Sequence, residues 1–336
     1  MPGEIKVLQI GLGPLGIKMA EYIEQRSNTT TVAAIDVNPA IVGKQLSDLS
    51  PTLSSSVVIG RDIPAEVQNS QADIALLTTV SDMERITPQI EALVEAGLPV
   101  VTTCEELSFA WETFPELALR IDTAAKAHEV GVVATGVNPG FLMDALPSFL
   151  TAVCQSVEKV EVRRFQDASF RRIPFQNKIG AGLDLDAFQQ KIDDGSLRHV
   201  GLTESMQFIA TQLGWKLDKT EDIISPVVAQ QAINSGARPI APGLAAGVHQ
   251  LGRGWVKGEE KITLTFQAAV GEAESFDEVI IFGQPKIRSK IEGGVNGDVA
   301  TCAITINTMG ALLQANPGLH TMATLPMVSC FSERSL

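Results

Sequence analysis

The chain has 336 residues, of which 45% are hydrophobic and only 5% aromatic, and its formal net charge at pH 7 is −13. This length allows two domains with substantial cores. The acidic balance, with no stripe of lysine and arginine to offset it, argues against nucleic acid as a partner.

The sequence contains no apolar run that approaches the roughly 20 residues of a membrane span. A predicted strand begins within a few residues of the first methionine, which leaves no room for a signal peptide. The four cysteines and four histidines are scattered, without a C-x-x-C pair, so we expect neither a disulfide framework nor a metal site. We therefore expect a cytoplasmic protein with no membrane partner.

The first forty residues contain a glycine motif between an apolar strand and an amphipathic helix. The strand Ile5–Ile10 is followed by a complete G-x-G-x-x-G, and the helix is predicted over Ile17–Gln25. In such a motif the glycines permit a tight turn, close approach of the backbone to a pyrophosphate, and close packing of helix on strand. The helix N-terminus offers free N–H groups to the phosphates. The predicted dinucleotide-binding loop consists of Gly11, Leu12, Gly13, Pro14, Leu15 and Gly16.

A second predicted strand ends at Asp36, twenty residues after Gly16. An acid at this place accepts hydrogen bonds from ribose hydroxyls and would repel a 2′-phosphate, so it favours NAD over NADP. Asn38 follows where NADP-binding chains often carry arginine or lysine. Because the Asn38 side chain can hydrogen-bond a phosphate, use of NADP stays open.

Strands and helices alternate through the rest of the first half. The predicted helices are Met83–Ala96 and Pro115–His128, and the predicted strands are Val57–Gly60, Ala72–Thr79, Leu98–Thr103 and Val130–Thr135. This repetition predicts an α/β fold with an N-terminal Rossmann domain, whose doubly wound parallel sheet binds its ligand at the carboxyl ends of the strands.

The pattern changes near Leu146. Val157–Val162 alternates with period two, as a half-buried strand does. Further helices are predicted over Asp184–Asp193 and Glu204–Leu213, and further strands over Glu221–Ala229, Lys261–Val270 and Glu278–Gln284. We therefore predict a second α+β domain with a mixed or antiparallel sheet.

The apolar segment Asp298–Leu313 is predicted to be a helix that returns the chain to the first domain. The predicted Rossmann domain thus comprises residues 1–145 and a returning helix over about 298–325. Residues 146–297 form the predicted substrate and dimerisation domain, and residues 331–336 form a loose tail.

Polar residues follow the predicted strands of the first domain, at the edge where a cofactor would bind. Asn138 lies in the turn signature Asn138-Pro139-Gly140, and its amide could hydrogen-bond a carboxamide or a substrate, or serve only the turn. The cofactor-binding residues predicted from these segments are Thr79, Ser81, Thr103 and Asn138.

The segment Cys104-Glu105-Glu106 offers two candidate acids. A carboxylate here could bind an ammonium group or act as a general base toward water or an amine. The alternative is that the acids begin the next helix, where its dipole favours them. A nucleophilic Cys104 would need a nearby base such as histidine. The sequence shows none, so a buried thiol is the expectation.

Candidate pocket residues lie just before the second predicted domain and within its first half. Arginine side chains suit a substrate carboxylate, although they also serve solvated faces and subunit contacts. His199 could line a pocket or simply be hydrogen-bonded. Phe141 and Met143 could form a wall of the pocket or pack in the core. These candidates are Phe141, Met143, Arg163, Arg171, Arg172 and His199.

Several segments resemble the 2,4-diaminopentanoate dehydrogenase family, which includes native amine dehydrogenases and is distantly similar to dihydrodipicolinate reductase. In order along nearly the whole chain, the matching segments include IGLGPLG, AAIDVNP, TTCEELSF, ATGVNPGFLMDALP, RRFQDASFRRIPFQNKIGAGLD, RHVGLTES and IEGGVNGDVAT. The His-His and K-x-D-A-P-S-G-T elements of the reductase itself have no counterpart.

The resemblance implies a two-domain, dimeric enzyme that oxidises a C–NH2 carbon by hydride transfer to NAD(P)+. The imine is then hydrolysed to a ketone or aldehyde and ammonia, and the reverse reaction aminates the carbonyl compound. The family's catalytic glutamate falls on the Cys-Glu-Glu segment, at Glu105, with Glu106 as the fallback.

We therefore expect an NAD(P)-dependent amine dehydrogenase that acts on a primary amine. Three alternatives stay open: 2,4-diaminopentanoate dehydrogenase proper, a reductase of a cyclic imine, and a non-catalytic NAD(H)-binding regulator. Release of ammonia would exclude imine reduction, and loss of turnover in Glu105→Gln would exclude the regulator.

Overall fold

The computed structural model describes residues 4–171 and 173–330. Its strands are β1 (Ile5–Ile10), β2 (Thr29–Ile35), β3 (Ile59–Gly60), β4 (Ile74–Leu77), β5 (Val100–Thr102), β6 (Gly131–Ala134), β7 (Ser156–Asp167), β8 (Lys219–Val228), β9 (Ala245–Val256), β10 (Glu259–Ala269), β11 (Phe276–Gln284), β12 (Ile287–Glu292) and β13 (Gly318–His320). Its α-helices are α1 (Pro14–Glu24), α2 (Ile63–Ser70), α3 (Met83–Glu95), α4 (Ala110–Thr113), α5 (Pro115–Ala127), α6 (Ala145–Leu150), α7 (Ile173–Lys178), α8 (Leu185–Asp193), α9 (Leu202–Gln212) and α10 (Gly297–Leu312).

The first sheet has seven strands in the order β13-β6-β5-β4-β1-β2-β3. All of its pairings are parallel. Strands β4, β5 and β6 are buried along their whole length, because helices cover both faces of the sheet. One core cluster joins the sheet to α3 and α5, and another joins it to α1 and α10. The predicted doubly wound parallel sheet is confirmed.

The second sheet has six strands in the order β12-β11-β7-β10-β9-β8. β7 and β10 run parallel, whereas the other neighbours are antiparallel. α9 packs on β8, β9 and β10. The sheet is therefore mixed, and the prediction of a second α+β domain is confirmed.

The described residues divide into two compact units. One contains the residues up to Phe141 and those from Gly297 onward, and the other is Leu142–Asn296. The returning segment is not a single helix, because α10 ends at Leu312 and β13 then pairs with β6 in the parallel sheet. The predicted tail, residues 331–336, lies outside the described residues.

Membrane-spanning helices and clusters of metal-binding side chains are both absent from the described residues. No helix there is long and apolar enough to cross a bilayer. Nor do the described residues include a group of three or more histidine, cysteine, aspartate or glutamate side chains able to hold a metal ion.

Candidate cofactor and active site

The glycine motif forms a tight turn between β1 and α1. Gly11 has φ of +90°, and a Cβ atom there would lie 2.6 Å from the carbonyl oxygen of Thr78. A Cβ on Gly16 would lie 2.0 Å from the carbonyl oxygen of Gly11. Gly13 is different, since a Cβ there would meet nothing within 4 Å. The first and third glycines are thus required by the chain's own packing, and the second leaves open space.

The N-terminus of α1 provides hydrogen-bond donors beside this space. Gly13 is the N-cap, it supplies no side-chain cap, and Pro14 occupies the first turn. Proline has no N–H, so the donors of the turn are those of the following residues. Free N–H groups and the positive end of a helix dipole fit a pyrophosphate.

Asp36, directly after β2, joins the glycine turn to the next loop. Its Oδ2 accepts the N–H of Leu12 at 2.6 Å, and its Oδ1 accepts the N–H of Asn38 at 2.8 Å. The Asn38 Oδ1 in turn accepts the N–H of Ala40 at 3.0 Å. Carboxylate oxygens have further lone pairs, so Asp36 can still accept ribose hydroxyls. The glycine cradle, the open helix N-terminus and this acid together fit a dinucleotide.

Alanine substitutions at Gly13 and Gly16 should have different consequences. The added methyl group in Gly16→Ala forces α1 away from Gly11, so we expect the free energy of unfolding to fall by about 1–3 kcal/mol. We also expect the Kd for NADH to rise by about 100-fold or more, because two charge-assisted hydrogen bonds to the pyrophosphate are disturbed. Gly13→Ala should keep its thermal midpoint yet weaken NADH binding, because the methyl group would occupy the open space. Thermal unfolding measures the stability of the two variants, and fluorescence titration measures their affinity for NADH. Equal changes in the two variants would contradict the separate roles given to Gly13 and Gly16.

The Cys-Glu-Glu segment lies after β5, and Glu105–Leu107 form one turn of 3-10 helix. Burial raises the pKa of the Cys104 thiol to about 12, and the negative charges of Glu105 and Glu106 act in the same direction. The thiol therefore stays protonated at neutral pH, which argues against a nucleophilic role.

The two glutamates differ in what they contact. The Glu106 Oε2 accepts the N–H of Met83, the first residue of α3, at 2.8 Å. It thus caps the preceding helix rather than the next one. Glu105 is half-buried, and its carboxylate accepts no hydrogen bond from the described part of the chain.

The other predicted cofactor residues lie after the parallel strands. Thr79 is exposed and donates to the Gln89 Oε1 at 2.9 Å, and Ser81 is half-buried. The N–H of Thr103 donates to the carbonyl of Leu77 at 3.2 Å. Asn138 is buried. Their contacts with a cofactor remain predictions.

Two threonines that the sequence did not single out shape these loops. The Thr78 Oγ1 donates to the carbonyl of Gly11 at 2.8 Å. Thr301, in α10, accepts the N–H of Val137 at 3.2 Å through its Oγ1. Thr78 is the second-last residue of the predicted strand Ala72–Thr79, and its place at the strand end is a usable signal. Thr301 lies 164 residues from its partner, and nothing local indicates it.

The candidate arginines have different surroundings. Arg163 is exposed and pairs with Glu161 at 3.2 Å and with Glu278 at 3.6 Å. Its neighbour Arg164 is buried and pairs with Asp277 at 2.7 Å. The guanidinium carbon of Arg171 lies 4.1 Å from the ring centroid of Phe175. Arg172 lies outside the described residues.

The remaining pocket candidates are one histidine and two apolar residues. Burial lowers the pKa of His199 to about 3, and the charges of Lys178 and Arg164 act in the same direction. Its imidazole is therefore neutral at pH 7 and packs 4.7 Å from the Phe266 ring, centroid to centroid. Met143 is fully buried, whereas Phe141 is partly exposed.

Comparison with known sequences identifies the family. The model of the 2,4-diaminopentanoate dehydrogenase C-terminal domain matches residues 141–335. A 2,4-diaminopentanoate dehydrogenase from Acetoanaerobium sticklandii is 30% identical over 331 residues, which are 96% of this chain and 94% of that protein.

Solved structures share the fold. An amine dehydrogenase from Mycobacterium smegmatis superposes with a TM-score of 0.84 at 20% identity, over 99% of each chain. A scyllo-inositol dehydrogenase from Lactobacillus casei, solved with NAD(H) and scyllo-inositol, superposes with a TM-score of 0.57 at 15% identity, over 91% of this chain and 89% of that one. Together with the sequence matches, the parallel sheet and its glycine cradle mean that the chain belongs to the 2,4-diaminopentanoate dehydrogenase family.

Proposed function

We propose that this protein is an NAD(P)-dependent amine dehydrogenase in which Glu105 is the general base. The observation that carries the proposal is the contrast between the two glutamates after β5. Glu106 is held by the N–H of Met83, whereas the carboxylate of Glu105 accepts no hydrogen bond from the described residues. β5 belongs to the same parallel sheet as β1, so Glu105 and the glycine turn both follow carboxyl ends of its strands.

A bound nicotinamide would supply the acceptor for the hydride that leaves the carbon bearing the amine. Glu105 first accepts a proton from the substrate ammonium, which leaves a neutral amine able to release that hydride. Water then attacks the resulting iminium carbon while Glu105, having returned its first proton to solvent, accepts a proton from the water. The protonated Glu105 then donates that proton to the carbinolamine nitrogen and accepts the hydroxyl proton, so that ammonia leaves and the ketone or aldehyde is formed. Positioning of amine and base makes each step effectively intramolecular.

The proposal assigns NAD as the preferred cofactor. Gly11–Gly16 would hold the pyrophosphate and Asp36 the ribose hydroxyls, and the Asp36 carboxylate would repel a 2′-phosphate. Thr79, Ser81, Thr103 and Asn138 would line the nicotinamide side. NADP remains a permitted second cofactor because the exposed Asn38 can rotate toward a phosphate.

The proposed substrate is a primary amine, and the arginines decide whether it also carries a carboxylate. Arg164 is occupied by Asp277 and Arg163 by two glutamates. Arg171 packs against the Phe175 ring, 4.1 Å from guanidinium carbon to ring centroid, and its Nη1 donates to the Gln166 Oε1 at 3.4 Å. Arg163, Arg171 and Arg172 are the candidate anchors if the substrate is an amino acid, and substitution of Arg171 tests one of them.

The proposed assembly is a homodimer formed through the second sheet. Arg163, Glu278 and Arg288 form a ladder of alternating charges across β7, β11 and β12, with Arg288 2.7 Å from Glu278. The Glu278 side chain is only 2% exposed and already pairs with both arginines within one chain, so the dimer is proposed from the family resemblance. Light scattering after size-exclusion chromatography should give twice the chain mass, and a single-chain mass would contradict the dimer.

The activity is tested with a panel of amines that includes 2,4-diaminopentanoate and cyclohexylamine, assayed with NAD+ and with NADP+. NADH formation with equal release of ammonia supports amine dehydrogenation. Preference for the diamino acid, lost in Arg171→Ala, would support a carboxylate anchor, and preference for cyclohexylamine would support an apolar pocket. NADH binding without turnover of any amine would overturn the proposal.

A further inference from the structure

Strand β1 contains a buried polar residue whose hydrogen bonding is incomplete. Gln9 is 0% exposed and lies between the buried Leu8 and Ile10. Its Nε2 donates to the carbonyl oxygen of Gly16, but its Oε1 is buried and accepts no hydrogen bond from the described residues. A buried acceptor left unsatisfied destabilises a fold. An apolar residue of similar size would therefore suit the core better than glutamine does.

The hydrogen bond that Gln9 does make falls on the glycine motif. Gly16 lies in the first turn of α1, and this turn rests directly against Gly11, as the 2.0 Å clash of an added Cβ shows. Gln9 thus ties the first turn of the helix to the end of β1. The N–H groups of that turn are the ones offered to a pyrophosphate, and hydrogen bonds to an anion depend on their geometry.

The other end of the motif is held in a similar way. The Thr78 Oγ1 donates to the carbonyl of Gly11 at 2.8 Å, and the Thr78 N–H donates to the carbonyl of Ile10 at 2.8 Å. Two side chains outside the G-x-G-x-x-G therefore bind its first and third glycines. They do so from β1 and from the end of β4, which are neighbours in the sheet.

We propose that Gln9 and Thr78 are positioning residues for the dinucleotide, which fix the glycine turn and the first turn of α1 in the geometry that binds the pyrophosphate. For Gln9 this role lowers the stability of the fold, because its Oε1 is buried without a hydrogen-bond donor among the described residues. The inference rests on the cofactor placement proposed above and does not depend on which amine is oxidised.

The test uses Gln9→Leu and Thr78→Val in the full chain, with NADH as the probe. Loss of one positioning hydrogen bond should raise the Kd for NADH about tenfold, which corresponds to about 1.4 kcal/mol. The thermal midpoint of Gln9→Leu without cofactor should equal or exceed that of the parent, and kcat at saturating NAD+ should stay within about twofold. Fluorescence titration, thermal unfolding and steady-state kinetics give the three values.

Thr308→Val is the matched control. Thr308 is fully buried and donates to the carbonyl of Ile304 at 2.7 Å, so the substitution also removes a buried hydrogen bond, but one outside the glycine motif. It should leave the Kd for NADH unchanged.

Two results would overturn the inference. One is a Gln9→Leu protein with parental NADH affinity and a lowered thermal midpoint, which would make Gln9 a purely structural residue. The other is an equal loss of affinity in Thr308→Val. Tight NADH binding by the parent without amine turnover would overturn the proposed reaction and leave the positioning role standing. Absence of NADH binding by the parent would overturn both.

Discussion

Glu105→Gln should reduce kcat for amine oxidation by about 1,000-fold while leaving the Kd for NADH within about twofold. Glutamine keeps the shape of the side chain but cannot accept the ammonium proton, and a positioned general base typically contributes 10²–10⁴ in rate. Cofactor affinity should persist because the glycine turn and Asp36 lie on other loops. Steady-state kinetics with the best amine of the panel and a parallel NADH titration give both numbers.

Glu106→Gln is the matched control, since it removes the neighbouring charge but retains an oxygen that can accept the N–H of Met83. It should keep kcat within a few-fold of the parent. A large loss in Glu106→Gln together with near-parental turnover in Glu105→Gln would mean that the base is Glu106 and that the cap on α3 is secondary.

Asp36→Ala should raise the KM for NAD+ by about 100-fold and raise the ratio of kcat/KM for NADP+ over NAD+ by a similar factor. The carboxylate would no longer accept ribose hydroxyls, and hydrogen bonds to a charged group are worth about 1.5–3 kcal/mol each. Loss of the Leu12 N–H bond at 2.6 Å would also loosen the glycine turn for either cofactor, while the repulsion of a 2′-phosphate would disappear.

Asn38→Ala separates these effects. It removes the hydrogen bond to the N–H of Ala40 but leaves the carboxylate, so NAD+ kinetics should change little, whereas any use of NADP+ should weaken. An unchanged KM for NAD+ in Asp36→Ala would contradict the ribose-binding role.

The parallel sheet is predictable because its signals are local. Strands buried on both faces are continuous apolar runs, as in ADIALLTT around β4, and the glycine turn marks the end of β1. The structure shortens several predicted strands by one or two residues at their ends. Family membership follows from the same segments and is confirmed.

The second sheet is less predictable, and β9 shows why. The sequence analysis predicts no strand over Ala245–Val256, and glycine, of which this strand has three, weakens a strand's sequence signal. In the structure these glycines allow close packing: a Cβ on Gly247 would lie 2.0 Å from the carbonyl oxygen of Ala268, and one on Gly252 would lie 2.9 Å from Leu202. Contacts so distant in sequence leave no local pattern.

The same limit applies to the candidate site. Sequence alone could not separate Glu105 from Glu106, because the distinguishing contact comes from Met83, 23 residues away. Nor could it separate Arg163 from Arg164, which alternate between the two faces of β7 and meet partners more than 100 residues distant. Residue types and spacing indicate the candidate segments, whereas tertiary partners distinguish the residues within them.

The most direct test of amine dehydrogenation is mass analysis of the NADH formed from an amine deuterated at the carbon that bears nitrogen. With cyclohexylamine so labelled and unlabelled NAD+, transfer of the hydride from that carbon predicts one deuterium in each NADH and one ammonia released per NADH. NADH without deuterium, or formed without ammonia, would contradict the assignment of this protein as an amine dehydrogenase.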